Sequence, residues 1–261
     1  IDYRRRLDQP VLEVTGSIGA DSATLERAVA VVNPTIFFAQ MLKDGLIARG
    51  MAVSGSAVDL DDVAAELSQS TAERRTIVTT SSPPLHLIAT VLMKVSQNLY
   101  AESLIKAIGG ARDGLGTFDG GLNAVRATLT SWGIPADSYV NADGSGLSRY
   151  NYLAASTVIA ILERIYKDDR HRAPFIATLP IAGTEGEGTM ATRMLRTRAA
   201  GNAAAKTGSI SNVRALSGYV RTRDGEMLVF SIFANDFVIP AATVNWITDL
   251  AVEHLANFTR Q

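Results

Sequence analysis

The chain has 261 residues, of which 47% are hydrophobic and 20% charged, and its 25 Lys and Arg nearly balance 26 Asp and Glu to give a formal net charge of −1. This length and composition predict a folded chain with a substantial core and exclude intrinsic disorder. The near-zero charge, without a basic block, argues against nucleic acid as a partner, and no apolar stretch approaches the roughly 18 to 20 residues that span a bilayer.

The first part of the chain is predicted to mix short extended pieces with one helix. Residues 11–14 form an extended piece, and a helix follows from Pro34 to Arg49 with Asn33 as its N-cap. Residues 51–80 carry Val, Ile and Thr runs broken by glycine and aspartate, which indicates strands and loops that end in a strand over 76–80. Because the chain begins without Met or an apolar signal core, we expect a processed or internal N-terminus.

The middle of the chain is predicted to be helical. Helices are expected over residues 85–94, 99–108, 122–132 and 152–166, and the second of these is expected to stop at Gly109-Gly110. Ser96-Gln97-Asn98 therefore lies at the turn between the first two helices.

The end of the chain gives the strongest pattern. Residues 206–210, 213–222 and 227–234 read as three strands, and Asp224-Gly225 is a typical hairpin turn between the last two. A final helix over 240–258 has apolar residues at helical spacing. Antiparallel strands followed by a helix that covers one face indicate an α+β or mixed α/β fold.

Several kinds of catalytic site are excluded by the residues present. His86, His171 and His254 stand singly, without the spacing of a metal-dependent hydrolase, and the chain has no cysteine, so we predict no metal site. No Gly-x-Ser-x-Gly window occurs, which argues against an α/β-hydrolase. Residues 201–207 match a phosphate loop only in part, because Ala205 replaces the required glycine and the segment leads into a strand.

What remains is serine and lysine chemistry, which needs no histidine. A lysine can act as a base when burial or neighbouring cations lower its pKa, and a nearby hydroxyl can relay the proton. Two pieces of such a site are visible: Ser96-x-Asn98 at the helix turn, and Lys206-Thr207-Gly208 at the start of a strand. Each tripeptide alone also fits an ordinary turn and an edge strand.

Together and in this order, the two tripeptides resemble the second and third motifs of penicillin-binding proteins and serine β-lactamases. The residues around them are similar to the D-alanyl-D-alanine carboxypeptidase/endopeptidase family with large inserted domains. This similarity runs from about Val11 to the C-terminus. The segments that carry it are Met93 to Glu102, Asp143 to Asn151, Leu179 to Gly183, Ala205 to Ile210 and Val213 to Asn235.

One departure from the family pattern decides the prediction. The family's nucleophile lies in a Ser-x-x-Lys motif N-terminal to Ser-x-Asn, whereas the only such match here is Ser103 to Lys106, on the C-terminal side. The resemblance therefore implies a penicillin-binding-protein-like transpeptidase domain, an antiparallel sheet flanked by helices, that is incomplete at its N-terminus. Residues 1–75 would be the end of an inserted domain and the return into the catalytic domain, and residues 76–261 the C-terminal part of that domain.

The resemblance also implies roles for three catalytic residues in an acyl-enzyme reaction. Ser96 would relay a proton between lysines, and Asn98 would hold the acyl-side amide of the substrate. Lys206 would keep the lysine beside the nucleophile deprotonated and attract the terminal carboxylate of the substrate.

Three further residues would bind substrate. Thr207 and Ser209 would line the carboxylate site, the Ser209 N–H would form half of the oxyanion hole, and Gly208 would let the backbone approach the ligand. On this resemblance the substrates are peptidoglycan stem peptides, β-lactams are inhibitors, and no cofactor is needed. The implied partner is the missing N-terminal segment, and the implied location is the periplasm or cell envelope.

Two other functions stay open. One is a non-catalytic homologue that binds muropeptides or partner proteins through the retained groove. The other is a self-sufficient β-lactamase or esterase that uses Ser103 and Lys106, which would share one helix face.

Overall fold

The computed structural model describes residues 1–6, 11–63 and 75–260, and they form two compact units, residues 1–79 and 80–261. Among the described residues, no helix is both long and apolar enough to cross a membrane.

Unit 1 contains one hairpin, one α-helix and a short 3-10 helix (Leu60–Asp62) in its described part. Strands β1 (Asp2–Arg5) and β2 (Leu12–Thr15) pair antiparallel. Helix α1 (Pro34–Ile47) begins as predicted, because the Asn33 side chain accepts a hydrogen bond from the Ile36 N–H at 3.0 Å.

The strand predicted over residues 76–80 is wrong. These residues have no regular structure, and Ile77 and Val78 are 88% and 80% exposed. A β-branched run favours a strand only when a neighbouring strand pairs with it and its side chains pack. No such pairing is present for this segment in the described part of the chain.

Unit 2 combines helices with an antiparallel sheet, as the sequence predicts. Its α-helices in the described residues are α2 (Leu85–Val95), α3 (Asn98–Asp113), α4 (Phe118–Ser131), α5 (Ala155–Tyr166), α6 (Arg172–Thr178) and α7 (Ala241–Asn257). The helix predicted to begin at 152 starts later, because strand β4 (Tyr152–Leu153) pairs with strand β3 (Tyr139–Val140).

Helix α3 continues through the glycine pair that was predicted to end it. A Cβ atom at Gly109 would lie 2.5 Å from the Thr117 carbonyl oxygen, and one at Gly121 would lie 2.0 Å from the Ile105 carbonyl oxygen. Glycine is therefore required here for the close approach of α3 and α4 and not for a helix stop. The helix ends at Gly114, which has φ 78°.

The sheet of unit 2 has the order β5 (Ala204–Ile210), β6 (Val213–Arg221) and β7 (Met227–Asn235), all antiparallel. The three predicted strands and the final helix are confirmed, with bounds within two residues.

The two faces of this sheet pack against different helices, because successive side chains of a strand point to opposite faces. One face, with Leu216 and Val220, packs against Val252 and Ala256 of α7 to form the main core. The other face packs against α5, and it is anchored where Tyr219 donates a hydrogen bond to the Leu162 carbonyl at 2.8 Å. Lys206 of β5 lies on this second face.

Candidate active site

Ser96 is placed by the tight junction between α2 and α3. It ends α2 in the left-handed conformation, with φ 57° and ψ 53°, and α3 begins only two residues later at Asn98. A non-glycine residue in this region costs on the order of 1 kcal/mol, so the conformation persists only because the surrounding structure fixes it. Asn98 is exposed at the first position of α3.

Lys206 meets Ser96 across the groove between β5 and the end of α2. Its Nζ donates to Ser96 Oγ at 2.8 Å and to the Thr207 carbonyl at 2.7 Å. Burial of the ammonium lowers the pKa of Lys206 to about 8. The structure therefore brings together a hydroxyl and a partly buried lysine whose charged form is less favoured than that of a free lysine.

The pH dependence of stability provides a test of this environment. Between about pH 8 and 10.5 the unfolded state holds more protons than the folded state, because a lysine in the unfolded chain has a pKa near 10.4. The contribution of Lys206 to stability therefore rises with pH across this window. Relative to the variant Lys206→Met, the unfolding free energy of the wild type should increase by about 1–2 kcal/mol from pH 7.5 to 10.5, after allowance for solvent screening.

Urea unfolding followed by the fluorescence of Trp132 and Trp246, both in unit 2, measures this difference. Exposed Lys167 provides the control, since Lys167→Met should show no such trend. A difference between wild type and Lys206→Met that stays constant with pH would contradict a desolvated Lys206.

The other predicted substrate-binding residues follow Lys206 on β5. Thr207 donates its hydroxyl proton to the Thr189 hydroxyl at 2.9 Å, and Ser209 is exposed. A Cβ atom at Gly208 would lie 3.1 Å from Ala215 Cβ on β6, so the position is tight on the sheet side.

A loop that the sequence analysis did not single out touches both halves of the site. This loop, residues 184–190 and here called the clamp loop, pairs Glu187 with Lys94 on α2. Lys94 Nζ also donates to the Leu179 carbonyl at 3.1 Å. Gly188, with φ 62°, lies so close to α2 that a Cβ atom would be 1.8 Å from the Lys94 carbonyl oxygen.

The glycine-rich segment 143–151 is a turn held by two carboxylates. Asp143 accepts hydrogen bonds from the N–H of Gly146 at 2.7 Å and of Ser148 at 2.6 Å, and from Asn151 Nδ2 at 2.8 Å. Burial raises the pKa of Asp143, but these hydrogen bonds outweigh it, so the pKa lies below its usual value. Glu102 of α3 accepts from two further N–H groups of the turn, each at 3.0 Å.

A cavity of about 700 Å³ lies beside β5 on the same face of the sheet as Lys206. Its apolar wall is formed by Val125, Leu129, Ile161, Ala215 and Phe233, and Gly208 and Ser209 contribute the edge shared with the site. The hydroxyl of Tyr139 also lines this region and is buried with no hydrogen-bond partner among the described residues.

The exposed side of α2 and α3 is apolar near the site. Leu87, Val91, Val95 and Leu99 recur every four residues and are each 43–68% exposed. Ser103 and Lys106 are also exposed on α3, and in the described part of the chain no hydrogen bond joins either to Ser96 or Lys206.

Comparison with solved structures places this architecture among penicillin-binding proteins and β-lactamases. Penicillin binding protein 4 from Haemophilus influenzae, complexed with a β-lactam, matches with a TM-score of 0.73 at 26% identity, over 88% of this chain and 53% of that chain. A β-lactamase from Sphaerobacter thermophilus shares the fold, with a TM-score of 0.50 at 19% identity, over 66% of this chain and 62% of that chain.

Sequence comparison then gives the family. Residues 2–256 match the model of the D-Ala-D-Ala carboxypeptidase 3 (S13) family, and the chain belongs to this family. It is 37% identical to a D-alanyl-D-alanine carboxypeptidase of Actinomadura sp. (strain R39), over 90% of this chain and 44% of that protein. It is 28% identical to a D-alanyl-D-alanine carboxypeptidase of Haemophilus influenzae, over 86% of this chain and 45% of that protein. The chain thus spans less than half the length of these two relatives.

Proposed function

We propose that the chain forms the lysine side of the active site of a serine peptidase that cleaves peptidoglycan stem peptides ending in D-Ala-D-Ala, as a carboxypeptidase or an endopeptidase. The contact between Lys206 and Ser96, with the pKa of Lys206 lowered by burial to about 8, carries this proposal. Family membership supports the substrate class. Because peptidoglycan lies outside the cytoplasm, the proposed location is the periplasm or cell envelope.

The nucleophile of this reaction is proposed to come from a Ser-x-x-Lys segment outside these 261 residues. The only such motif within them, Ser103 to Lys106, has both residues exposed, and the described hydrogen bonds of Lys206 go to Ser96 and Thr207 instead. The cavity beside β5 and the exposed apolar side of α2 offer a surface on which a helical segment could bury its apolar face. Residues 1–75 are accordingly proposed to be the end of an inserted domain, and residues 76–261 the C-terminal part of the catalytic domain.

In the proposed acylation step, the nucleophilic serine attacks the carbonyl between the two D-alanines. Its proton passes to the neutral lysine of the same motif and then through Ser96 Oγ to the leaving D-alanine amine. Protonated Lys206 disfavours a second positive charge nearby, which keeps that lysine neutral. Lys206, Thr207 and Ser209 bind the terminal carboxylate, Asn98 holds the acyl-side amide, and water later hydrolyses the acyl-enzyme. β-Lactams would acylate the same serine.

Covalent labelling by a penicillin tests this function. Intact-mass analysis should find no adduct on the 261-residue chain, and one adduct on a longer form that includes an upstream Ser-x-x-Lys segment. Peptide mapping should place that adduct on the serine of the upstream motif.

Each other result has a defined meaning. An adduct on Ser103 would replace this proposal with the self-sufficient hydrolase. A longer form that takes up no penicillin, although it folds cooperatively, would favour the non-catalytic homologue that binds muropeptides or partner proteins.

A further inference from the structure

The clamp loop is held by contacts with α2 and with the main core. Its Glu187 carboxylate is only 22% exposed and pairs with the equally enclosed ammonium of Lys94, which is two residues before Ser96. Lys94 Nζ also donates a hydrogen bond to the Leu179 carbonyl. At the end of the loop, Met190 is fully buried in the main core, and the Gly183 N–H donates to its carbonyl at 3.0 Å. The loop is therefore fixed both to α2 and to the core.

Between these anchors the loop presents one hydroxyl to β5. Thr207 donates a hydrogen bond to Thr189 Oγ1 at 2.9 Å, which leaves the hydroxyl proton of Thr189 able to donate to a ligand. Thr189 is exposed, and Thr207 is partly buried behind it. Thr189 therefore offers a solvent-exposed hydroxyl donor directly beside Thr207, the residue that follows Lys206 on β5. A hydrogen bond from such a donor to a charged group is among the stronger hydrogen bonds in proteins.

We propose that the clamp loop is part of the substrate site: Thr189 donates the outer hydrogen bond to the terminal carboxylate of the substrate, and Glu187 is a positioning residue that fixes the loop to α2 next to Ser96. This inference rests on the proposed function, because it assigns a ligand to the groove of Lys206. It adds to that groove a binding residue that lies outside both tripeptide motifs.

Titration of the 261-residue chain with N-acetyl-D-Ala-D-Ala and with its C-terminal amide tests Thr189. The amide shifts of Thr207 and Ser209 in NMR spectra give the Kd of each ligand. Thr189→Val keeps the β-branched shape but removes the hydroxyl, and it should weaken binding of the carboxylate ligand about tenfold, with less than a twofold change for the amide ligand. Thr189→Ser should restore carboxylate affinity to within about twofold of the wild type, and exposed Thr192→Val should leave it unchanged.

Glu187→Gln tests the positioning role of Glu187, because loss of its charge and loss of its hold on the loop should change anion binding in opposite directions. Removal of a carboxylate near a cationic groove would by charge alone strengthen anion binding. A loosened loop weakens it instead, so we expect a Kd about threefold higher, while exposed Glu185→Gln in the same loop should not raise it.

The outcomes separate this inference from the proposed function. If the wild type binds the carboxylate ligand no better than the amide, the proposed carboxylate groove is wrong and the inference falls with it. If the wild type prefers the carboxylate ligand but Thr189→Val binds it equally well, only the role of Thr189 is overturned. Tighter binding by Glu187→Gln overturns the role of Glu187. Thermal unfolding of each variant shows whether it is folded, and Thr189→Ala, which also removes the hydroxyl, provides the answer if Thr189→Val is not.

Discussion

Lys206→Met should reduce the rate of acylation by penicillin about a thousandfold in a longer form of the protein that supplies Ser-x-x-Lys. The substitution keeps an unbranched side chain only one atom shorter, but it removes the donor to Ser96 Oγ and the positive charge of the groove. Both effects act on the transition state, the first through the proton relay and the second through the pKa of the neighbouring lysine. A loss of this size corresponds to about 4 kcal/mol of transition-state stabilisation.

The second-order rate constant for a fluorescent penicillin measures this effect. Lys106→Met is the matched control, because Lys106 is exposed and belongs to the one Ser-x-x-Lys match within the chain. It should acylate at the wild-type rate. A loss of less than tenfold for Lys206→Met, or an equal loss in the control, would refute the assigned role of Lys206.

Gly188→Ala should lower the free energy of unfolding of unit 2 by about 3–4 kcal/mol. The new Cβ would lie 1.8 Å from the Lys94 carbonyl oxygen, which is backbone and cannot turn aside, and φ at this position is 62°. The clamp loop or the last turn of α2 must then move, and that turn carries Ser96. Gly186→Ala separates the strain of a positive φ from the clash with α2, because Gly186 has φ 77° but nothing within 4 Å of a Cβ atom.

Gly186→Ala should therefore cost only the backbone strain, about 1–2 kcal/mol. Urea unfolding followed by tryptophan fluorescence compares the two variants under identical conditions. Equal destabilisation by both would mean that the close contact with α2 contributes nothing, and the clamp loop would then have to be regarded as loosely attached.

Local patterns in the sequence were enough to predict the elements that carry the site. Strand β5 and the turn at Ser96 are defined by hydrophobic alternation, hairpin residues and the short gap between two helical segments, all within about ten residues. The fold class and the family followed from the order of Ser96-x-Asn98 and Lys206-Thr207-Gly208, and both are confirmed. The assignment of individual roles to these residues stays a prediction.

Local sequence patterns did not predict the contacts between residues that are distant in the chain. Glu187 and Thr189 lie in a segment that reads as irregular because of its glycines, and their partners are 93 and 18 positions away. The error at Gly109-Gly110 has a similar origin, since glycine indicates a helix end in isolation but here permits two helices to touch. The sequence also does not show why position 188 is glycine. A glycine that is required by close packing looks the same in a sequence as a glycine in a flexible loop.

The 110 positions that separate Ser96 from Lys206 have a consequence for how the protein folds. Helix hairpins and β-hairpins form from neighbouring residues, whereas a contact of this separation must first overcome the entropy of closing a long loop. Until the sheet docks against α2, Lys206 remains hydrated and keeps the ordinary pKa of lysine. Its chemical reactivity therefore arises only with this non-local step of folding, so partly folded chains that lack the contact carry the residues of the site without its chemistry.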